Sequence, residues 1–176
     1  MSVLEVRDQA LVRLVREDAP LDRIVGGMAF TEGPLWMGDH LLFSDLPNNR
    51  ICKWAVTPSG PEVTTWRWPS GGDLDDPREI RQPGSNGLTL DRQRRLIACE
   101  HGRRRVSRTL ESGEVVTLAD RYDGKRLNSP NDVVVRSDGA ATARGDGPWG
   151  AKVNRVRSAL GDRGLRGGRG RRTAGR

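Results

Sequence analysis

The sequence predicts an all-β protein of propeller type, carrying about two and a half blades, and three observations predict it. From Ile24 onward the chain alternates short β-type runs with turn residues at close, regular spacing. The runs repeat: Leu41-Leu42-Phe43-Ser44-Asp45 superposes on Leu96-Ile97-Ala98-Cys99-Glu100 at an offset of 55, and Arg50-Ile51 falls on Arg105-Val106 at the same offset. A third start, Asn131-Asp132-Val133, follows 45 residues after Asn86. Repeats of about 40–50 residues with four strands each are propeller blades, whereas barrel hairpins repeat faster.

Taken in order, residues 1–22 form a lead-in. Val3, Val6, Leu11, Val12, Leu14 and Val15 lie among charges in a weak helical pattern, as expected of a short segment packed on the main body. Residues 23–140 are the partial propeller. Its expected strands are Pro34–Trp36, Leu41–Asp45, Arg50–Val56 and Glu62–Trp68, then Gly87–Asp91, Arg95–Glu100, Arg104–Thr109, Glu114–Ala119 and Asp132–Arg136. Turns are expected at Gly38-Asp39, Pro47-Asn48-Asn49, Pro58-Ser59-Gly60, Asp91-Arg92-Gln93, Glu111-Ser112-Gly113 and Ser137-Asp138-Gly139. The longer first interval fits an acidic insertion around Gly71–Pro83, with Asp73, Asp75, Asp76 and Glu79.

After Gly139 the third unit lacks the apolar strand that its two predecessors have. Residues 141–176, rich in Arg, Gly and Ala, bury too little apolar surface to offset the entropy of ordering and are expected to be a disordered basic tail. A changed reading frame, a truncated gene model and a genuine basic tail all account for the break.

The net charge of +7 belongs to that tail. Residues 141–176 hold ten Lys and Arg against two acids, and residues 1–140 hold twenty against twenty-one. The folded part therefore carries no nucleic-acid signal, and Arg103-Arg104-Arg105 reads as a solvated strand entrance. Cys52 and Cys99 make no CxxC pair and read as isolated reduced thiols. No apolar run approaches the ~20 residues of a membrane span, and the charged N-terminus is not a signal peptide, so a cytoplasmic location is expected.

The segments Thr31-Glu32-Gly33-Pro34-Leu35-Trp36, Leu42-Phe43-Ser44-Asp45-Leu46-Pro47-Asn48-Asn49-Arg50-Ile51 and Ser85-Asn86-Gly87-Leu88-Thr89-Leu90-Asp91 resemble the SMP-30/gluconolactonase/LRE-like family. So do Arg95–Gly102 and Gly124–Val135, and the resemblance runs from about residue 20 to 140. It implies a six-bladed propeller, here incomplete, with a divalent cation on its axis that hydrolyses sugar lactones. Glu32 matches the family's metal-binding glutamate, and Asn131 matches an asparagine lining the substrate pocket. The remaining metal ligands, an asparagine and the catalytic aspartate of later blades, have no counterpart in this chain. Asp146-Gly147-Pro148-Trp149-Gly150 stands where the family has an Asp-Pro-Pro-Tyr-Gly loop.

A lactone carbonyl has to be polarised and a water activated, and one bound cation does both. Carboxylate and amide oxygens suit Ca²⁺ first, with Zn²⁺, Mg²⁺ and Mn²⁺ as alternatives. Read without the resemblance, Glu32 is an exposed turn carboxylate, Asn131 an Asx-turn and Asn86 a structural turn residue. Asp132 caps its own turn, His40 and His101 read as surface residues, and the five tryptophans read as packing residues. No Gly-x-Ser-x-Gly elbow supports a serine hydrolase. The expectation is a truncated, inactive lactone hydrolase. The alternatives are a non-catalytic propeller-type interaction module completed by self-association or a partner, and polyanion binding through the tail.

Overall fold

The computed structural model describes residues 5–72 and 82–146. The chain folds into two four-stranded antiparallel meanders and the opening hairpin of a third. The first blade is β1 (Thr31–Trp36), β2 (His40–Asp45), β3 (Arg50–Thr57) and β4 (Gly60–Arg67). The second is β5 (Ser85–Leu90), β6 (Leu96–Glu100), β7 (Arg105–Thr109) and β8 (Val115–Ala119). A two-residue ribbon, β9 (Arg121–Tyr122) with β10 (Lys125–Arg126), leads to β11 (Ser129–Val135), which pairs with β12 (Ala141–Asp146). This is the all-β, partial-propeller architecture that the repeat predicts.

The core lies between blades, because each sheet buries one face against the next. Leu42 and Ile51 of the first blade meet Leu88, Leu96 and Ala98 of the second. Ile97, Cys99 and Val106, on the other face of the second blade, meet Leu127, Val133, Ala141 and Ala143. Side chains alternate across a strand, so neighbours such as Leu96 and Ile97 serve opposite interfaces.

Strand β12 corrects the expectation that order ends at residue 140. The run Ala141–Asp146 is poor in β-branched residues, yet it pairs with β11 from Ser129↔Asp146 to Val135↔Ala141. Ala141 and Ala143 are 3% and 4% exposed. Small side chains suffice there because Ile97, Val106 and Val133 supply the bulk of that interface. Residues 73–81, which include most of the expected insertion, and 147–176, the remainder of the expected tail, lie outside the described residues.

The lead-in also differs from expectation. It contains a 3₁₀ helix, Gln9–Arg13, with Asp8 accepting the Ala10 N–H at its N-terminus (2.8 Å), and no residue of that helix is buried. Leu14 is 84% exposed and Leu21 80%. A single tight turn with charges on several sides presents no apolar stripe to the sheet.

The passage from the first blade to the second is held by polar groups. Asn49, at φ +51, accepts the N–H groups of Ser70 and Gly71 on its Oδ1 (3.0 and 2.8 Å). Ser85 N–H donates to Ser70 Oγ at 2.9 Å, and Gly84 N–H to Leu46 O at 3.0 Å.

Candidate active site on the first strands of the blades

The first strands of the three blades, β1, β5 and β11, lie side by side, and two glycines make this possible. Gly33, at φ +57, leaves no room for a methyl group against the carbonyl of Asn86. At Gly87 an added Cβ would stand 2.8 Å from both Asn131 O and the Asp132 Cα. Glycine is therefore required at both positions by close backbone approach, and at Gly33 by conformation as well.

Each of these strands also carries a β-bulge within a residue or two of the same point. The register shifts between Glu32 and Leu35 on β1, between Ser85 and Leu88 on β5, and between Pro130 and Asp132 on β11. A bulge re-aims the side chains beside it. The bulges bring Glu32, Asn86 and Asn131 to corresponding places in successive blades, next to the nested glycines.

Glu32 is half-buried and shares a cleft of about 600 Å³ with Arg23, Phe30, Pro34, Leu41 and Phe43. Asn131 is half-buried on β11. Asp132 accepts the N–H of Val133 on its Oδ1 at 3.0 Å, but it does so within β11, opposite Arg144, and not in the turn expected of it.

Two residues read as structural or superficial from the sequence prove to be buried neighbours of this row. Asn86 is 4% exposed and His101 8%. The Asn86 amide nitrogen stands 3.4 Å from His101 Nε2, and His101 Nδ1 stands 3.2 Å from the carbonyl of Gln82. A carbonyl only accepts, so Nδ1 carries the proton and Nε2 accepts from Asn86. The expectation of a surface His101 is corrected, because its turn is drawn beneath β5 by His101 N–H donating to Gly84 O at 3.2 Å. His40 has its Nδ1 2.6 Å from Asp39 Oδ1.

The arginine triplet is not a uniformly solvated face either. Arg105 donates from Nε to Glu100 Oε2 at 2.6 Å, and Arg104 from Nε to Leu127 O at 2.8 Å, while Arg103 is exposed. Trp36, Trp66 and Trp68 are exposed at 56%, 38% and 71%, so packing does not account for them. Trp149 lies outside the described residues. Cys52 and Cys99 are free and buried, and burial pushes both thiols above their ordinary pKa.

Whether these residues fit a cation follows from the donors. Among the described residues no three His, Cys, Asp or Glu side chains gather closely enough to hold a metal ion. Ca²⁺ takes 6–8 oxygen ligands and Mg²⁺ a near-octahedral set. One carboxylate, Glu32, beside two asparagine amides falls short of either. The described residues do not make a cation cage by themselves, and no step through a cation is assigned to them.

The model of the SMP-30/Gluconolactonase/LRE-like region matches residues 30–148, a span that includes both full blades and β12. This chain belongs to that family. The gluconolactonase of Zymomonas mobilis is 36% identical over 138 residues, covering 74% of this chain and 37% of that protein. A solved structure described as a gluconolactonase of Xanthomonas campestris is 35% identical, with a TM-score of 0.55, over 75% of this chain and 40% of that one. The chain therefore spans well under half the length of these relatives. Family membership accounts for the blade repeat. No helix among the described residues is long and apolar enough to cross a membrane.

Proposed function

We propose that this member of the family carries the leading part of a metal-dependent sugar-lactone hydrolase site, and that these 176 residues do not turn lactone over by themselves. Glu32 is the ligand they offer a divalent cation, Ca²⁺ first and Zn²⁺, Mg²⁺ or Mn²⁺ as alternatives. Asn131 is their contact to the sugar lactone. The observation that carries the reading is the alignment of Glu32, Asn86 and Asn131 on bulged first strands, with only one carboxylate among them. Donors from further blades are needed to hold the ion and activate water.

The test has two arms. The chain alone, with Ca²⁺ or Zn²⁺ added, is expected to hydrolyse glucono-δ-lactone no faster than buffer in a pH-stat. Turnover that Glu32→Gln abolishes would overturn the inactive half of the reading. In the second arm, residues 1–146 are fused to the later blades of the Xanthomonas campestris relative. An active fusion that loses about 100-fold or more on Glu32→Gln supports the ligand role. An active fusion indifferent to that change removes it.

A non-catalytic interaction module is the second reading, favoured by the exposure of Trp36, Trp68 and Val56 (56%, 71% and 68%) on the first blade and the turn after it. A discrete folded oligomer in size-exclusion chromatography supports it, and a soluble aggregate or unfolded monomer counts against it. Polyanion binding through residues 141–176 has no favouring observation among the described residues, and β12 takes up the first six of them.

A further inference from the structure

The two blades carry the same ion pair, and only one of them adds further arginines. In the first, Asp45 accepts from Arg50 Nε and Nη2 at 3.0 and 2.9 Å, from Asn48 Nδ2 at 2.8 Å, and from the Ala29 N–H at 3.1 Å. In the second, 55 residues on, Glu100 accepts from Arg105 Nε at 2.6 Å and from Ser107 Oγ at 2.5 Å. Here Arg67 also arrives from β4 of the neighbouring blade, with Nη2 3.4 Å from Glu100 Oε1. One carboxylate thus faces two guanidinium groups. Among these three side chains a positive charge is left in excess, and Arg103 lines the same cleft with its side chain folded over Gly72.

That excess is buried. The Arg67 side chain is 12% exposed, and its Nε–H is buried with no acceptor. Its other nitrogens reach Ser70 O at 2.7 Å and Thr109 Oγ1 at 3.3 Å. Burial lowers the pKa of the guanidinium below its ordinary value; Glu100 opposes this and Arg105 adds to it. A buried charge with an unsatisfied donor is costly unless an anion completes it. Beside these groups lies a cleft of about 260 Å³ lined by Arg67, Glu100, Arg103, Arg105, Gly72 and Val115.

We propose that this cleft, between the end of β4 in the first blade and the β6–β7 hairpin of the second, binds a small oxyanion of carboxylate or phosphate type. Planar guanidinium forks match the paired oxygens of such groups. The volume is below that of most organic-ligand pockets and suits a small anion. The site does not depend on the lactone reading.

The test is titration of the full chain with inorganic phosphate and, separately, acetate at constant ionic strength. Binding is followed by the NMR signals of the arginine Nε–H groups and by the thermal midpoint. A saturable shift of the Arg67 and Arg105 signals is expected, with the tighter probe naming the class. Arg103→Ser is expected to weaken binding about tenfold, the loss of one charge-assisted hydrogen bond. Arg136→Ser removes an equal charge at an exposed position and is expected to change nothing. Arg67→Met is expected to abolish binding, and if that variant does not fold the Arg103 variant decides. A linear response without saturation, or equal weakening by Arg136→Ser, overturns the proposal.

Discussion

Arg67, the last residue of β4, reaches across the blade boundary and sets its Nη2 3.4 Å from the Oε1 of Glu100 on β6. The same carboxylate closes its own hairpin through Arg105 and Ser107. Removing the acid therefore strands two guanidinium groups in a buried place. Glu100→Ala is expected to cost about 3–5 kcal/mol, the range for breaking one partner out of a buried pair. Denaturant unfolding of the variant against the native chain measures it. A loss below about 1 kcal/mol would mean that the pair is as weak as a surface bridge.

Asp45 predicts a pH dependence. Burial raises the pKa of its carboxyl, but the hydrogen bonds from Asn48, Arg50 and the backbone N–H groups of Phe30 and Ala29 outweigh that and hold it below the ordinary 3.8. A depressed folded value means that stability is fully present above the unfolded pKa and lost as the pH falls through the folded one. Native stability should decline below pH 3.8, and Asp45→Asn should start lower and decline less steeply. Thermal midpoints between neutral and acid pH provide the comparison; equal slopes would exclude Asp45 as a contributor.

Gly33 and Gly87 predict a steric effect. Ala at Gly33 meets the Asn86 carbonyl and a left-handed backbone together, and is expected to cost about 1–3 kcal/mol. Ala at Gly87 meets Asn131 and Asp132 and should cost a similar amount. Urea midpoints measure both. Gly113, at φ +85 with open space around it, isolates the conformational term, so Gly113→Ala should cost less than either.

Cys99 offers a chemical readout of folding. Its thiol is wholly buried, and burial first, then Asp132 and Glu100, pushes its pKa up. The thiolate is the reactive form, so alkylation by iodoacetamide should be negligible in the folded chain and fast in denaturant. Mass spectrometry of labelled peptides follows both sites, and rapid native labelling at Cys99 would contradict the packing between the second and third blades.

Most of the fold was legible because alternating strands and turn residues state it locally, and the offset of 55 carries Asp45 and Arg50 onto Glu100 and Arg105. Strand β12 was not legible. Ala-Thr-Ala-Arg lacks the β-branched bulk that marks a strand, and its partner face, not its own composition, makes it one. The candidate site was half legible. Resemblance nominated Glu32 and Asn131, but a bulge leaves no trace in an alternating pattern, so Asn86 passed as a turn residue. His101 and Arg105 sit in polar runs, where composition reads as exposure; their burial comes from the hydrogen bond of His101 to Gly84 and the ion pair of Arg105 with Glu100, which only the folded arrangement brings about.

The nesting of first strands depends on a residue without a side chain within the bulge: Gly33 follows Glu32, and Gly87 follows Asn86. The corresponding place on β11, after Asn131, is held by Asp132, which is exposed. Any segment laid along that flank must stand off by at least the girth of a methylene.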